Sequence, residues 1–205
     1  MPIMNLLESK QIENFLTAEE VEKVTRLIES HSSTSAVEGY AQNYNWRYHN
    51  PETEAIRNIL DPKFKQVFGR TFKVQGAHIL DSKNPFMLHG DFNHPGSDAD
   101  MIPEYTIIIP LSTYDSETIV FNEAIEGTND FAEYKKNNDK HSKFQLDMKF
   151  CRSKLGHLDP KDLLYLSLKE VFPWKSGSMF AMDRRYFHCS SNGVPKRGIV
   201  MWTYQ

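Results

Sequence analysis

The segment FMLHGDFNHP, residues 86–95, puts a histidine and an aspartate two positions apart. In an extended strand successive side chains alternate, so His89 and Asp91 point one way and Gly90 the other. A carboxylate turned toward an apolar interior is costly unless something compensates it, and a divalent cation does so directly. With 8 histidines and 27 acidic residues in 205, about one His-x-acid match is expected by chance, and the chain holds two. The second, His157-Leu158-Asp159, has a plain explanation: Asp159 as a helix N-cap, with Pro160 and Asp162 in the first turn of DPKDLLYL. No such explanation covers His89 and Asp91. The alternative for that pair is a strand-edge histidine hydrogen-bonded to its neighbour.

A third ligand is required, and His49, His78, His94 and His188 are the candidates. His188 stands near the end of a strand shortly before the C-terminal one, where a jelly roll can bring it across the barrel mouth. His94, three residues past Asp91, lines the entrance instead. Two imidazoles and one carboxylate with open positions suit non-haem Fe(II) that must also bind a co-substrate and O2. Zinc on the same three groups competes. Arg197 follows His188 by nine residues and opens the last strand, RGIVMWTY. Turned inward, it is a permanently charged fork for a carboxylate; an arginine at a strand start is otherwise exposed.

The elements that must hold these groups come in two kinds. FLTAEEV carries a capping box, with Thr17 as N-cap and Glu20 at N3, and Leu16 and Val21 as a hydrophobic staple. Val21, Val24, Leu27 and Ile28 then share one helical face. A short helix is expected over Thr53–Leu60, its apolar pattern continued by Phe64, Val67 and Phe68. Between the two helices, HSSTSAVEGYAQNYNWRYHNP shows no clear period. After Gly69 the runs TFKVQGAHILD, PFMLHGD, YTIIIPLS, ETIVFNE, YLSLKEVFPW, GSMFAMD, YFHCS and RGIVMWTY read as strands. Helices first, then strands with no helix between most of them, is no parallel α/β pattern. The expected fold is mainly β: a double-stranded β-helix, or jelly roll, with N-terminal helices packed on one sheet. A single domain follows, with 1–69 as helical lead, 70–125 and 162–205 as jelly-roll strands, and 126–161 as a charged helical or loop insertion.

With these residues in place, the chain resembles the Fe(II)/2-oxoglutarate-dependent dioxygenases. Their motif is His-x-Asp, a long gap, His, then Arg or Lys about ten residues on; His89, Asp91, His188 and Arg197 match it in order. GSMFAMDRRYFHCSS and KRGIVMWTY look most like the prolyl-hydroxylase-like branch, as does FLTAEEVEKVTRLIE. The resemblance implies Fe(II) on His89, Asp91 and His188, 2-oxoglutarate chelating the metal with its distal carboxylate on Arg197, and O2 in the remaining site. It implies hydroxylation of a substrate carbon with release of succinate and CO2. The chain departs from the family at Ile199, where many relatives carry a hydroxyl, and at Pro110, where the branch often has Tyr. The second contact to the distal carboxylate therefore falls to Thr106 or, alternatively, Tyr105. Asp91, in place of a small residue, argues against an iron halogenase.

Substrate contacts are expected from the mouth: Tyr44, Trp46, Arg47 and Tyr48 on one loop, and Phe92, Asn93 and His94 on another. Trp46 and Tyr48 have an equal alternative, stapling the helices to the sheet. Asp183-Arg184-Arg185 is expected as a surface turn with a local ion pair rather than a basic contact for phosphate. A net charge of −3 does not suggest a nucleic-acid partner, and the chain lacks the long apolar run of a membrane span. MPIMNLLESKQ lacks the order of a secretory signal, and Cys151 and Cys189 read as free thiols of a reducing cytoplasm. The expected partner is a small-molecule or peptide substrate. Two other readings stand beside the hydroxylase: a cupin-type metal enzyme that uses no keto acid, and a binding module on the same fold.

Overall fold

A computed structural model describes residues 6–37, 41–91, 102–125, 131–138, 143–193 and 195–205. The chain opens with a three-residue strand, β1 (Lys10–Ile12), and helix α1 (Ala18–His31). A hairpin, β2 (Ser33–Val37) and β3 (Ala41–Trp46), leads to α2 (Glu54–Phe68). Strands β4 (Lys73–Ser82), β5 (Pro103–Pro110) and β6 (Glu117–Ala124) follow. Two short helices, α3 (Phe131–Asn138) and α4 (Met148–Lys154), precede β7 (Leu168–Pro173), β8 (Met179–Asp183), β9 (Tyr186–Ser190) and β10 (Lys196–Tyr204). No helix of the described residues is long and apolar enough to cross a membrane.

The strands form two antiparallel sheets, one ordered β1-β8-β5-β10-β4-β3-β2 and the other β7-β6-β9. An isolated bridge between His89 and His188 extends the small sheet beyond β9. Leu80, Ile108, Phe180 and Val200 of the large sheet pack with Val120, Phe172 and Tyr186 of the small one, so the sheets face each other across an apolar layer. The opposite face of the large sheet, with Ala77, Ile79, Ile107, Ile109, Ile199 and Met201, takes Val24 and Ile28 of α1 and Ile56, Leu60 and Phe64 of α2. The outer face of the small sheet, with Ile119, Phe121, Phe187 and Cys189, is covered by Phe131, Cys151 and Leu155 of the segment between β6 and β7. The chain thus has four layers: helices, large sheet, small sheet, short helices.

Helix α1 begins as its sequence dictates. The Glu20 N–H donates to Thr17 Oγ1 at 3.2 Å, and the Thr17 N–H donates to Glu20 Oε2 at 2.8 Å. Helix α2 runs through Pro62 to Phe68 and stops at Gly69, whose φ of 73° lets it close the helix in the left-handed region. The hairpin β2–β3 and strand β1 lie where the sequence showed no period or was not read as strand. FMLHGD is irregular apart from the His89 bridge, so the face shared by His89 and Asp91 does not come from a regular strand.

Candidate metal centre

The local bonding that stands in for a strand is specific. The His89 N–H donates to His188 O at 3.0 Å and the His188 N–H to His89 O at 2.8 Å, locking the two histidines opposite each other. Two residues on, the Asp91 N–H donates to Arg184 O at 2.9 Å. Gly90 between them faces away: a Cβ there would lie 2.2 Å from Ile125 Cδ1. On β9, Tyr186, His188 and Ser190 face the interior between the sheets, while Phe187 and Cys189 face the core under the short helices.

Ligand atoms of His89, Asp91 and His188 therefore lie within 4.8 Å of one another. His188 Nε2 is 3.4 Å from Asp91 Oδ2, and His89 Nε2 is 3.9 Å from Asp91 Oδ1. Each imidazole points its other nitrogen at a carbonyl: His89 Nδ1 lies 2.7 Å from Met87 O and His188 Nδ1 3.0 Å from Tyr186 O. A carbonyl only accepts, so both Nδ1 atoms carry the proton and both Nε2 lone pairs face the carboxylate. Burial pushes the His188 imidazole down to about 4, helped by His89 and opposed by Asp91. Burial works to raise the Asp91 carboxyl, but His188, His89, the Thr106 hydroxyl and Arg184 outweigh it and hold it at about 2. At neutral pH the cluster is an anionic carboxylate beside a neutral buried imidazole, the protonation a divalent cation requires of its ligands.

These side chains sit in the wall of a cavity of about 90 Å³, several times the ~10–15 Å³ that one water needs. Much of the remaining wall is apolar and aromatic, formed by Leu80, Phe86, Ile108, Trp174, Val200 and Trp202. Within it lies a cation that sequence reasoning missed. Lys196 is 1% exposed, and its Nζ has no hydrogen-bond partner among the described residues. The ammonium lies 5.4 Å from the Phe86 ring centroid and 5.7 Å from that of Trp174. Burial lowers its pKa to about 8, against Cys189 and Glu117. Trp174 Nε1 donates to Thr118 Oγ1 at 3.0 Å, and Thr118 is a further polar residue of the cavity lining. Gly198 makes room for that indole: a Cβ there would lie 2.7 Å from Trp174 Cζ3.

Arg197, the residue expected to grip a carboxylate, points the other way. It bonds to Glu29 of α1, has its Nε 3.7 Å from Asp81, and lies 5.4 Å from the Tyr44 ring centroid. The reason is register. Lys196, Val200 and Trp202 of β10 line the cavity, whereas Ile199 and Met201, and with them Arg197, face the helices. Tyr105, the other residue expected at the distal carboxylate, also faces the helices; its ring packs 5.5 Å from Phe68 and 6.1 Å from Phe72. Thr106 does face the cavity, but its hydroxyl donates to Asp91 Oδ2 at 2.6 Å.

Trp46 and Tyr48 are buried in the helix-covered core, and the Tyr48 hydroxyl bonds to Asp61 Oδ1 at 2.5 Å. They staple helix to sheet and do not line the cavity. Phe92, Asn93 and His94 lie outside the described residues. Of the other histidines, His49 Nε2 accepts from the Val74 N–H at 3.0 Å, and His78 lines the cavity with its ring 4.9 Å from that of Trp202, outside the ligand cluster. Asp183-Arg184-Arg185 is buried rather than exposed, although its ion pair forms: Arg185 Nη2 is 2.6 Å from Asp183 Oδ2.

No protein-family model matches the chain, and no curated protein sequence does either. Solved structures do. An oxidoreductase of the 2OG-Fe(II) oxygenase family from Burkholderia pseudomallei superposes at TM-score 0.55 and 13% identity, covering 96% of this chain and 84% of that one. The non-heme alpha-ketoglutarate-dependent carbocyclase SnoK of nogalamycin biosynthesis does so at 0.59 and 12%, covering 96% and 80%. HygX from Streptomyces hygroscopicus, with nickel and 2-oxoglutarate bound, does so at 0.56 and 14%, covering 96% and 82%. The chain has the fold of these 2OG-Fe(II) oxygenases.

Proposed function

We propose that this chain is an Fe(II)- and 2-oxoglutarate-dependent oxygenase built on a double-stranded β-helix, hydroxylating a substrate carbon and releasing succinate and CO2. One observation carries the reading. A cluster of two imidazoles and a carboxylate shares a small cavity with a buried ammonium that has no hydrogen-bond partner among the described residues. An unpaired buried charge is expensive, and an anionic ligand removes the expense. A diacid with one end at the ligand cluster and the other at Lys196 accounts for both features at once.

His89, Asp91 and His188 would hold the metal on one side, leaving positions open. Lys196, with Thr118 beside it, would bind the distal carboxylate of 2-oxoglutarate, taking the role expected of Arg197. When bound, Fe(II) and 2-oxoglutarate supply the oxidising chemistry that puts oxygen into a C–H bond. The residues of this chain do the rest. The Met87 and Tyr186 carbonyls fix the imidazole tautomers. Thr106 orients one carboxylate oxygen. Phe86, Trp174 and Val200 keep water from the distal carboxylate, where a charged pair gains most from its absence.

The test is succinate formation by the purified chain, which should require both Fe(II) and 2-oxoglutarate. A panel of amino acids, peptides and small metabolites, read by a mass gain of one oxygen, then identifies the substrate. Tightly held zinc with no conversion of 2-oxoglutarate would turn the reading to a metal enzyme of another kind. No metal binding at all would leave a binding module.

A further inference from the structure

We infer that Arg184 is a positioning residue for Asp91, holding the carboxylate ligand toward the two imidazoles; the inference rests on the metal-centre reading above. The geometry is a bracket. Arg184 Nε donates to Asp91 O at 2.9 Å, and Arg184 O accepts the Asp91 N–H at 2.9 Å. Both backbone polar groups of the ligand therefore end on one residue. Arg184 is anchored in turn. Its N–H donates to Glu104 O at 3.0 Å next to the base of β5, and its Nη1 donates to Thr203 O at 3.3 Å on β10.

Asp91 needs such a bracket because the FMLHGD segment makes only one strand-like bridge, at His89. Nothing in regular sheet pairing fixes the backbone two residues later. The Thr106 hydroxyl holds one oxygen of the side chain, and Arg184 holds the peptide groups from which that side chain springs. A guanidinium that is 1% exposed carries a heavy desolvation cost, and an apolar side chain would fill the space more cheaply. Its donors make the difference, since supporting groups of this kind set the orientation of metal ligands.

Arg185 supplies the control. It is the adjacent residue, 8% exposed, with the same side chain, yet its guanidinium bonds to Asp183 and makes no bond to Asp91. Isothermal titration of the full chain with Mn(II) compares the variants Arg184→Met, Arg184→Lys and Arg185→Met, each checked for folding by circular dichroism. Arg184→Met should bind Mn(II) about 10- to 100-fold more weakly, the usual loss when a group supporting a ligand is removed. Arg184→Lys, which keeps a donor, should recover part of that loss. Arg185→Met should lower the thermal midpoint but bind Mn(II) like the wild type. If Arg184→Met does not fold, Arg184→Lys against Arg185→Met decides. Equal binding by wild type and the Arg184 variants overturns the inference, as does an equal loss in Arg185→Met. If the wild type itself takes no Mn(II), the metal-centre reading falls first and this inference with it.

Discussion

Lys196 and Arg197 are neighbours on β10, both cationic, and they lie on opposite faces of the large sheet. On the helix-covered face Arg197 is a quarter exposed and engages Glu29 and Asp81. On the face between the sheets Lys196 is buried and, among the described residues, has neither a hydrogen-bond partner nor a carboxylate at ion-pair distance. A cation already paired with carboxylates has its partners; a buried one without them suits an anionic ligand. The two faces differ likewise in their polar content. Beneath the helices the core residues are almost all apolar, whereas the cavity wall includes His78, His89, Asp91, Thr106, Thr118, His188 and Ser190.

Substitutions on the two faces should therefore separate cleanly. The largest effect is expected from Asp91→Ala, which removes the one anion of the ligand cluster. Mn(II) affinity should fall by more than the ~10–100-fold that supporting residues cost, and succinate formation should vanish. Next comes Lys196→Met. A hydrogen bond to a charged group is worth about 1.5–3 kcal/mol, so 2-oxoglutarate should bind roughly 10- to 100-fold more weakly by titration. The same variant should be no less stable at pH 7, because it deletes an unpaired buried charge.

Lys196 also gives the comparison a pH axis. Burial lowers its pKa from an ordinary 10.5 to about 8 in the free protein. Between those values the unfolded chain binds more proton than the folded one, so stability rises with pH across that window. Lys196→Met should lack the rise in denaturant midpoint. Binding runs the other way: 2-oxoglutarate affinity should weaken as pH climbs through about 8, and binding there should take up a proton, measurable by titration in buffers of different ionisation enthalpy.

A smaller change is expected from Gly198→Ala, whose new methyl meets the Trp174 ring; overpacking of this kind costs about 1–3 kcal/mol and should shift the thermal midpoint. On the other face, Arg197→Met should cost at most about 1 kcal/mol and leave 2-oxoglutarate affinity untouched. Thr17→Ala, which removes the cap of α1, should cost about 1 kcal/mol with Mn(II) binding unchanged. An Arg197 variant that lost 2-oxoglutarate while the Lys196 variant kept it would reverse the assignment of the two faces.

The ligand trio was legible because each member carries its own signal: His-x-Asp with no capping role, and a histidine just before the last strand. The cation was not, for a physical reason. Ile199, Val200, Met201 and Trp202 are apolar on both sides, since β10 is covered on both faces, so no alternation fixes the phase of the strand. Without that phase, Lys196 and Arg197 cannot be told apart, and the arginine looks the better fork. Thr106 and Tyr105 raise the same difficulty on β5. The β2–β3 hairpin did leave a trace: Tyr44, Trp46 and Tyr48 alternate with Asn45 and Arg47, a period of two hidden in polar surroundings. The burial of Asp183-Arg184-Arg185 left none, because three charged residues in a row read as surface wherever the fold around them is unknown.

The Leu7 N–H donates to Asp183 Oδ2 at 2.7 Å, on the carboxylate that also holds Arg185. Asp183 precedes the residue that brackets Asp91, so the start of the chain is mortared into the foundation of the ligand cluster. Removing residues 1–8 would strip that bond while leaving the pairing of β1 with β8, and the looseness would reach the turn at Asp183-Arg184 and, through it, the Asp91 backbone. Gln205, by contrast, is exposed and donates its N–H to Ile102 O at 3.0 Å, outside the hydrogen bonds that run from Leu7 to Asp91.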